Sequence, residues 1–100
     1  MLHEHEAVRF VIAIVDGKPT IHGECDLDSA MAIESLAAFD MQPLEIDLSG
    51  VTFFDSLAVR AFLRVRRRNP HMIIINPSDC VLKALELVGV SFLTTSESVD

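Results

Sequence analysis

The residues best suited to chemistry in this chain are a carboxylate and a hydroxyl that stand side by side, Asp55 and Ser56. Both residue types can accept hydrogen bonds from the free amides at the start of a helix. A serine in the first helical turn presents its hydroxyl beside the positive end of the helix dipole, where a phosphate group is favourably placed. The pair therefore indicates either a phosphate acceptor or a helix cap.

Catalysis is a third interpretation, because Asp26 and Asp55 can form a carboxylate pair with Ser56 as a nucleophile. The sequence argues against it. No histidine lies in a motif that would activate Ser56, and the chain has neither a Gly-x-Ser-x-Gly elbow nor a glycine-rich phosphate-binding loop. We expect a protein that is not an enzyme and that carries no cofactor.

Metal binding is also not expected. His3 and His5 have a spacing that can hold a transition metal, but they lie in a polar terminus with no further ligand in view. Cys25 and Cys80 are far apart in sequence and show no C-x-x-C spacing, so they indicate neither a metal site nor redox chemistry.

The elements that must position Asp55 and Ser56 are a strand before them and a helix after them. Residues 44–48 alternate apolar and polar side chains, which predicts a strand, and Ser49-Gly50 is predicted to end it before a short apolar run at 51–54. A helix then follows up to Asn69-Pro70. Its apolar face consists of Ala58, Val59, Phe62 and Val65, and its basic face of Arg60, Arg64, Arg67 and Arg68.

The segments before this joint predict a hairpin and a helix. Residues 8–15 are rich in β-branched side chains, 16–19 supply turn residues and 20–23 return as a second, antiparallel strand. Asp26 or Asp28 is predicted to cap a helix that starts near Ser29 and ends before Pro43. The predicted buried stripe of that helix is Ala32, Ile33, Leu36 and Phe39.

The segments after the joint predict a strand at 72–75, a helix at 79–88 and a last edge strand at 90–93. Ser78 is predicted to cap this helix and Gly89 to close it in a left-handed conformation. Val81, Leu82, Leu85 and Val88 are predicted to share one face of this helix. The polar residues from Thr94 onward could begin one further short helix.

This order of elements predicts an α/β fold of two layers. Its sheet has four to five strands, mostly parallel with an N-terminal antiparallel hairpin strand, and is covered by helices. Ligands and partners of such sheets bind at the carboxyl ends of the strands. We expect the loops that carry Asp26, Asp55-Ser56 and 76–78 to meet there.

Three segments, in this order and spacing, resemble the STAS domain of bacterial anti-sigma factor antagonists. IDLSGV at 46–51 and FFDS at 53–56 resemble the pattern D-L-S-G-V-x-F-x-D-S-S/T-G-L of that family. GECD at 23–26 resembles its G-E-L-D, and residues 73–89 resemble its later strand and helix. The resemblance divides the chain into a disordered N-terminal tail at 1–7, a STAS domain at 8–95 and a polar end at 96–100.

The resemblance implies an anti-sigma factor antagonist that binds an anti-sigma factor/serine kinase, which supplies the ATP, and that is released when Ser56 is phosphorylated. We expect the partner-binding residues to be Asp26, Asp55, Ser56, Leu57, Arg60 and Arg64. An alternative is a STAS interaction module that is not phosphorylated, such as an accessory subunit of a lipid-transport ABC system or part of a signalling complex. It is favoured by Leu57 and Ala58, which replace the family's Ser/Thr and Gly, because glycine would allow a partner's backbone to approach closely.

Composition and charge restrict the compartment and the partners. The 100 residues suffice for one domain, and 50% of them are hydrophobic. The formal charge of −7 disfavours nucleic acid as a partner. The longest apolar run, at 10–15, is too short to cross a bilayer, and no secretion signal is recognisable. We expect a cytoplasmic protein that does not insert into the membrane and whose acidic surface leaves self-association open.

Overall fold

The computed structural model of the chain describes residues 9–95. A four-stranded sheet has its strands side by side in chain order, the first pair antiparallel and the following pairs parallel. The strands are β1 (Phe10–Val15), β2 (Lys18–Cys25), β3 (Leu44–Phe54) and β4 (Met72–Ile75). The helices are α1 (Ala30–Glu34), α2 (Ser56–Arg68) and α3 (Asp79–Val88), with 3₁₀ helices at Leu27–Ser29, Ser35–Ala38 and Ser91–Thr94. The predicted mostly parallel α/β sheet with an antiparallel N-terminal hairpin is confirmed.

The hairpin turn is tighter than the sequence predicted. Asp16 and Gly17 both have positive φ, 53° and 80°, which is the geometry of the two-residue turn that matches the twist of antiparallel strands. β2 therefore begins at Lys18 and takes in residues that we had placed in the turn. At its other end β2 continues to Cys25, because Cys25 still pairs with Phe54 of β3.

β3 is one strand of 11 residues, so the prediction that Ser49-Gly50 ends it is wrong. The ladder to β2 continues through this point, where His22 lies opposite Gly50, with register shifts on either side of this pair. A Cβ atom on Gly50 would lie 2.1 Å from Nδ1 of His22. The glycine therefore makes room for the imidazole ring of the neighbouring strand.

The first predicted helix is a series of short pieces. A 3₁₀ helix at Leu27–Ser29, α1 and a second 3₁₀ helix at Ser35–Ala38 follow one another without a break. With three residues per 3₁₀ turn, the positions that pack inward recur at steps of three. They are Ala30, Ile33, Leu36 and Phe39, whereas Ala32, which we had placed in the buried stripe, is exposed.

α2 and α3 agree closely with the predicted helices. The apolar face of α2 is buried as predicted, and α2 ends before Asn69. α3 has the predicted bounds, and Gly89 closes it with φ 83°. Of the four residues predicted to share one face of α3, Val81 and Leu85 are buried, whereas Leu82 and Val88 are exposed. α3 packs mainly on β3, so only a narrow strip of the helix surface is in contact with the sheet.

The side chain of Ser78 does not cap α3. Its hydroxyl lies 3.4 Å from Sγ of Cys80 instead. The predicted edge strand at 90–93 is also wrong, because a 3₁₀ helix occupies Ser91–Thr94 and buries Leu93. Arg66 of α2 holds this segment in place, with its guanidinium 5.5 Å from the centre of the Phe92 ring and Nη1 3.4 Å from the Phe92 carbonyl oxygen.

The core lies between the sheet and the helices. Phe62 of α2 is completely buried and stacks on Phe54 of β3, with 5.7 Å between the ring centres. The opposite face of β3 carries polar residues, among them Glu45, which forms an ion pair of 2.8 Å with Lys18 of β2. The predicted N-terminal tail at 1–7 and polar end at 96–100 lie outside the described residues.

Candidate functional site

Asp55 is the N-cap of α2. Its backbone is extended, and its Oδ1 atom accepts hydrogen bonds from the amides of Leu57 and Ala58, both at 3.0 Å. The backbone carbonyl of Asp55 accepts a further bond of 3.1 Å from the amide of Val59. Asp55 thus satisfies the amides that a helix start leaves free, and the cap that the sequence assigned to either Asp55 or Ser56 belongs to Asp55.

Ser56 is the first residue of α2 and is exposed. Its hydroxyl makes no hydrogen bond to any residue in the described range 9–95. The side chain is therefore not needed for the local structure. It projects into solvent at the end of a rigid strand-to-helix joint.

Asp26 and Asp55 occupy the ends of two adjacent parallel strands. Cys25 pairs with Phe54, and the amide of Asp55 donates a 3.3 Å hydrogen bond to the carbonyl of Cys25, so the two aspartates follow side by side. Asp26 caps the 3₁₀ helix that follows it, because its Oδ1 accepts from the amide of Asp28 at 3.0 Å. The predicted contact between the loops of Asp26 and Asp55-Ser56 is present.

The thiol beneath these loops has a perturbed acidity. Burial, and after it the nearby Cys80, Asp26 and Asp55, which each disfavour a thiolate, together raise the pKa of Cys25 to about 12. Cys25 is therefore an inert core side chain at neutral pH.

The two positions that depart from the STAS pattern both lie in the first turn of α2. Leu57 is half-buried, and Ala58 has no exposed surface at all. A side chain at position 58 therefore points into the core and not toward an approaching protein. The expectation that Ala58 obstructs a partner is wrong, and only Leu57 alters the accessible surface beside Ser56.

The basic face of α2 is divided. Arg60 is exposed, whereas Arg64, also exposed, forms an ion pair of 2.9 Å with Glu34 of α1. Arg64 and Glu34 also line an open cleft of about 330 Å³ together with Arg67 and Arg68. Of the two arginines that we had assigned to partner binding, Arg60 is the one without an ion-pair partner among the described residues.

The third predicted loop does not reach Ser56. β4 pairs only with Leu44–Asp47, and β3 continues beyond it to Phe54. Asn76 donates a 3.0 Å hydrogen bond to Oδ2 of Asp47, and Ser78 donates its amide to the carbonyl of Leu48. Residues 76–78 therefore lie beside the middle of β3. The unequal strand lengths, which the sequence analysis did not foresee, separate them from the other two loops.

Asp47 is held as a carboxylate by this contact. Burial opposes ionisation, but hydrogen bonds from the Asn76 amide and from the backbone and hydroxyl of Ser49 outweigh it, so the pKa of Asp47 lies below its usual value. The group joins β3 to the loop after β4. We assign it a structural role.

Three exposed apolar side chains on β3 and on the segment that follows β2 were missed by the sequence analysis. Phe53, Leu27 and Met31 have exposed fractions of 47%, 66% and 83%. Phe53 lies at the end of β3, and Leu27 and Met31 lie in the helical segment that follows β2. Phe54 is buried against Phe62 of α2, so Phe53 faces the other side of the sheet. We call these three residues the apolar patch, as a name for the set and not for one continuous surface. One signal was available for Phe53, since neighbouring residues of a strand face opposite sides and Phe53 and Phe54 cannot both be buried.

Two searches of the described residues give negative results. Within 9–95, no helix is both long and apolar enough to cross a membrane. The same part of the chain contains no group of three or more histidine, cysteine, aspartate or glutamate side chains arranged to hold a metal ion.

Comparison with known proteins agrees with the architecture. No curated protein matches the chain with significance. A family model described as "Mlab, STAS domain" matches residues 15–95, which include both aspartates, Ser56 and all three helices. The match covers most of the chain, and the chain belongs to the STAS domain family.

Proposed function

We propose that this STAS domain is an anti-sigma factor antagonist-like regulator that binds an anti-sigma factor/serine kinase through the surface around Ser56 and is released when Ser56 is phosphorylated. STAS domains act as regulatory and interaction modules. In this proposal the kinase binds ATP, Ser56 accepts the phosphate, and no catalytic step is assigned to this chain. The proposed location is the cytoplasm, where such a kinase would meet it.

The observation that carries the proposal is the division of roles between Asp55 and Ser56. Because Asp55 caps α2, the hydroxyl of Ser56 is exposed and makes no hydrogen bond within the described residues. A kinase needs access to its acceptor hydroxyl, and here access requires no unfolding of the helix. A Ser56 that capped the helix would have favoured the alternative of a constitutive module.

The electrostatics favour release on phosphorylation. A phosphoserine adds about −1.5 to −2 charges at neutral pH. The amides of Leu57 and Ala58, which would otherwise receive a phosphate, already donate to Asp55. The added charge would therefore remain exposed, close to the carboxylates of Asp55 and Asp26. A penalty of about 1.4 kcal/mol on binding, from repulsion by an acidic partner surface or from desolvation at an apolar one, reduces affinity tenfold.

The apolar patch supplies a reason for binding in the unphosphorylated state. Phe53, Leu27 and Met31 expose large side chains on the strand before Ser56 and on the segment after β2, and burial of such side chains is worth about 1.5–3 kcal/mol each when complete. Apolar centres with polar surroundings are typical of protein interfaces. A charged phosphate next to this patch would have to be desolvated on binding.

The test is a quantitative capture experiment with wild type and Ser56→Asp as baits. We expect wild type to retain an ATP-binding serine kinase that Ser56→Asp does not retain, and we expect that kinase, supplied with ATP, to phosphorylate Ser56. The matched control is Ser91→Asp, because Ser91 is also an exposed serine but lies at the 3₁₀ helix beyond α3. It should capture the kinase like wild type. Equal capture by Ser56→Asp would refute the switch.

A second candidate function is a constitutive interaction module, as in an accessory subunit of a lipid-transport ABC system. Leu57 is the observation that favours it, because a half-buried apolar side chain stands beside Ser56 where the antagonists carry Ser or Thr. In this case the exposed face of α2 would dock on an acidic partner through Arg60. Arg60→Glu should then abolish capture, while Ser56→Asp should leave it unchanged.

A further inference from the structure

We propose that β1 pairs with the β1 strand of a second copy of this chain, antiparallel and about a two-fold axis at Ala13, so that one continuous sheet runs through a homodimer. The proposed contact is formed by β1, whereas Ser56 follows β3. It rests on the backbone of β1 and on the pattern of its side chains.

Within residues 9–95, the outer edge of β1 has no partner strand. The sheet has two edges, and the 3₁₀ helix Ser91–Thr94 packs beside the one formed by β4. On the other edge, no described element pairs with β1 on the side away from β2. Its register with β2 runs from Phe10 to Val15 without a bulge. Edge strands that remain unpaired usually carry a charge, a proline or a bulge, and the sequence FVIAIV has none of these.

The backbone geometry offers hydrogen bonds on this side. Ile14 lies opposite Pro19, which has no N–H group, and the amide of Glu24 donates to the carbonyl of Arg9. Arg9 therefore belongs to a hydrogen-bonded pair with β2, and Ile14 to a pair that is not hydrogen-bonded. Because the two kinds of pair alternate along an antiparallel ladder, every second residue after Arg9 is also hydrogen-bonded to β2. The N–H and C=O groups of Phe10, Ile12 and Ile14 therefore point outward, where a further strand would receive them.

The side chains of β1 are self-complementary in one register. In an antiparallel pair centred on Ala13, Val11 lies opposite Val15 of the other copy and Ile12 lies opposite Ile14. Partners in such a pair lie on the same face of the sheet, so like packs on like. The exposed fractions of Val11, Ile14 and Val15 are 39%, 55% and 49%, and the pairing would cover this apolar surface. A two-fold contact requires this kind of self-complementarity.

The ends of β1 carry opposite charges. Arg9 precedes the strand and Asp16 follows it. Antiparallel pairing about Ala13 places Phe10 of each copy opposite Asp16 of the other, and Arg9, which forms a 3.0 Å ion pair with Glu24, opposite Gly17. A parallel pair in register would instead place Arg9 opposite Arg9 and Asp16 opposite Asp16, which is unfavourable.

The dimer would leave both copies of Ser56 accessible. β1 pairs only with β2, whereas Ser56 follows the far end of β3. Two partner-binding surfaces would then be held in a fixed relation on one assembly, which allows bivalent binding. The dimer is a separate claim from the phosphorylation switch, and it can be tested without any partner.

The test is the solution mass of the full chain and of charge variants at the proposed axis, measured by light scattering and sedimentation over a concentration series. We expect wild type to approach twice the 11.1 kDa chain mass. Ala13→Lys and Ala13→Asp each place like charges opposite one another and should be monomers. Mixed in equal amounts, they should form a dimer again, because Lys then lies opposite Asp. The control is Leu87→Lys at a residue that is 88% exposed on α3, and it should remain a dimer.

Three outcomes would overturn the proposal. They are a monomeric wild type at every concentration, Ala13→Lys with an unchanged dimer mass, or folded variants whose mixture stays monomeric. Circular dichroism establishes that the variants are folded. If Ala13→Lys does not fold, Val15→Lys at its exposed position takes its place and should be monomeric. A wild-type monomer that binds an added FVIAIV peptide would assign this edge to a partner's strand instead.

Discussion

The Oδ1 atom of Asp55 accepts a hydrogen bond from the amide of Ala58 at 3.0 Å, and the same atom serves Leu57. Asp55→Ala removes the cap of α2 and should lower the free energy of unfolding by about 1 kcal/mol, within the range of about 0.5–2 kcal/mol for lost caps. Ser56→Ala removes an exposed hydroxyl that has no hydrogen-bond partner within residues 9–95. It should change the free energy of unfolding by less than about 0.5 kcal/mol. Urea denaturation measures both.

A larger loss of stability in Ser56→Ala than in Asp55→Ala would contradict the assignment of the cap to Asp55. If Ser56→Ala cost as much as Asp55→Ala, the hydroxyl would be the cap and its availability to a kinase would be in doubt. Asp55→Asn serves as the control, because an asparagine oxygen can accept the same amide bonds and should keep most of the stability.

The contact between Gly50 and His22 should behave as a coupled pair. Gly50→Ala would place a methyl group 2.1 Å from Nδ1 of His22, so the ring must move and about 1 kcal/mol should be lost. In a His22→Ala background the space is vacant, and the same substitution should cost less. A double-mutant cycle on the free energy of unfolding measures this coupling. Equal costs in both backgrounds would mean that the glycine serves backbone conformation alone.

The sequence predicted most of the element types because their determinants are local. Alternation in 44–48, the apolar face of α2 and the glycine that closes α3 all act within a few residues. Tertiary contacts decided the rest. Gly50 is a strand residue because it pairs with His22, and Ser91–Thr94 is helical beside Arg66 of α2. Neither contact could be inferred from neighbours in the chain.

The site was predictable in its centre and not in its surroundings. Adjacent parallel strands bring Asp26 to Asp55, which the order of elements was sufficient to foresee. The failure of 76–78 to join them follows from the length of β3, which extends past its pairing with β4. The role of Ala58 depended on which way the first turn of α2 faces. A pattern that treats residues 56–58 as surface could not establish this.

Cys25 should make the protein sensitive to alkaline pH. Burial raises the pKa of its thiol from 9.0 to about 12, so the folded chain holds this proton more tightly than the unfolded chain. The resulting stabilisation is complete below the unfolded pKa and is lost as pH rises through the folded value. Stability should therefore fall between about pH 9 and 12 in wild type, and less steeply in Cys25→Ala. Parallel slopes in the two proteins would contradict this assignment.

Thiol labelling at neutral pH supplies an independent check of the same residue. Cys25 is completely buried and Cys80 is half-buried. A thiol reagent should modify Cys80 in the native protein and reach Cys25 only when urea unfolds the chain. Cys80→Ala should therefore show no labelling before the unfolding transition. Rapid labelling of that variant in native buffer would show that the end of β2 opens locally.

Substitution of Phe62 should affect mainly stability, and substitution of Phe53 mainly partner binding. Phe62 is completely buried against Phe54, so Phe62→Ala should lower the free energy of unfolding by about 3–5 kcal/mol. Phe53 is 47% exposed in the apolar patch, and Phe53→Ala should cost far less stability. If the patch binds the kinase, Phe53→Ala should still weaken capture at least tenfold, as expected for an aromatic side chain at the centre of an interface.

Leu87→Ala is the matched control for Phe53→Ala, because Leu87 is 88% exposed on α3 and lies outside the apolar patch. It should change neither stability nor capture. Undiminished capture by Phe53→Ala would remove the apolar patch from the interface and leave the basic face of α2 as the binding surface. Since Arg64 is held by Glu34, the contribution of that face would then fall to Arg60, and Arg60→Glu would be the variant that loses the partner.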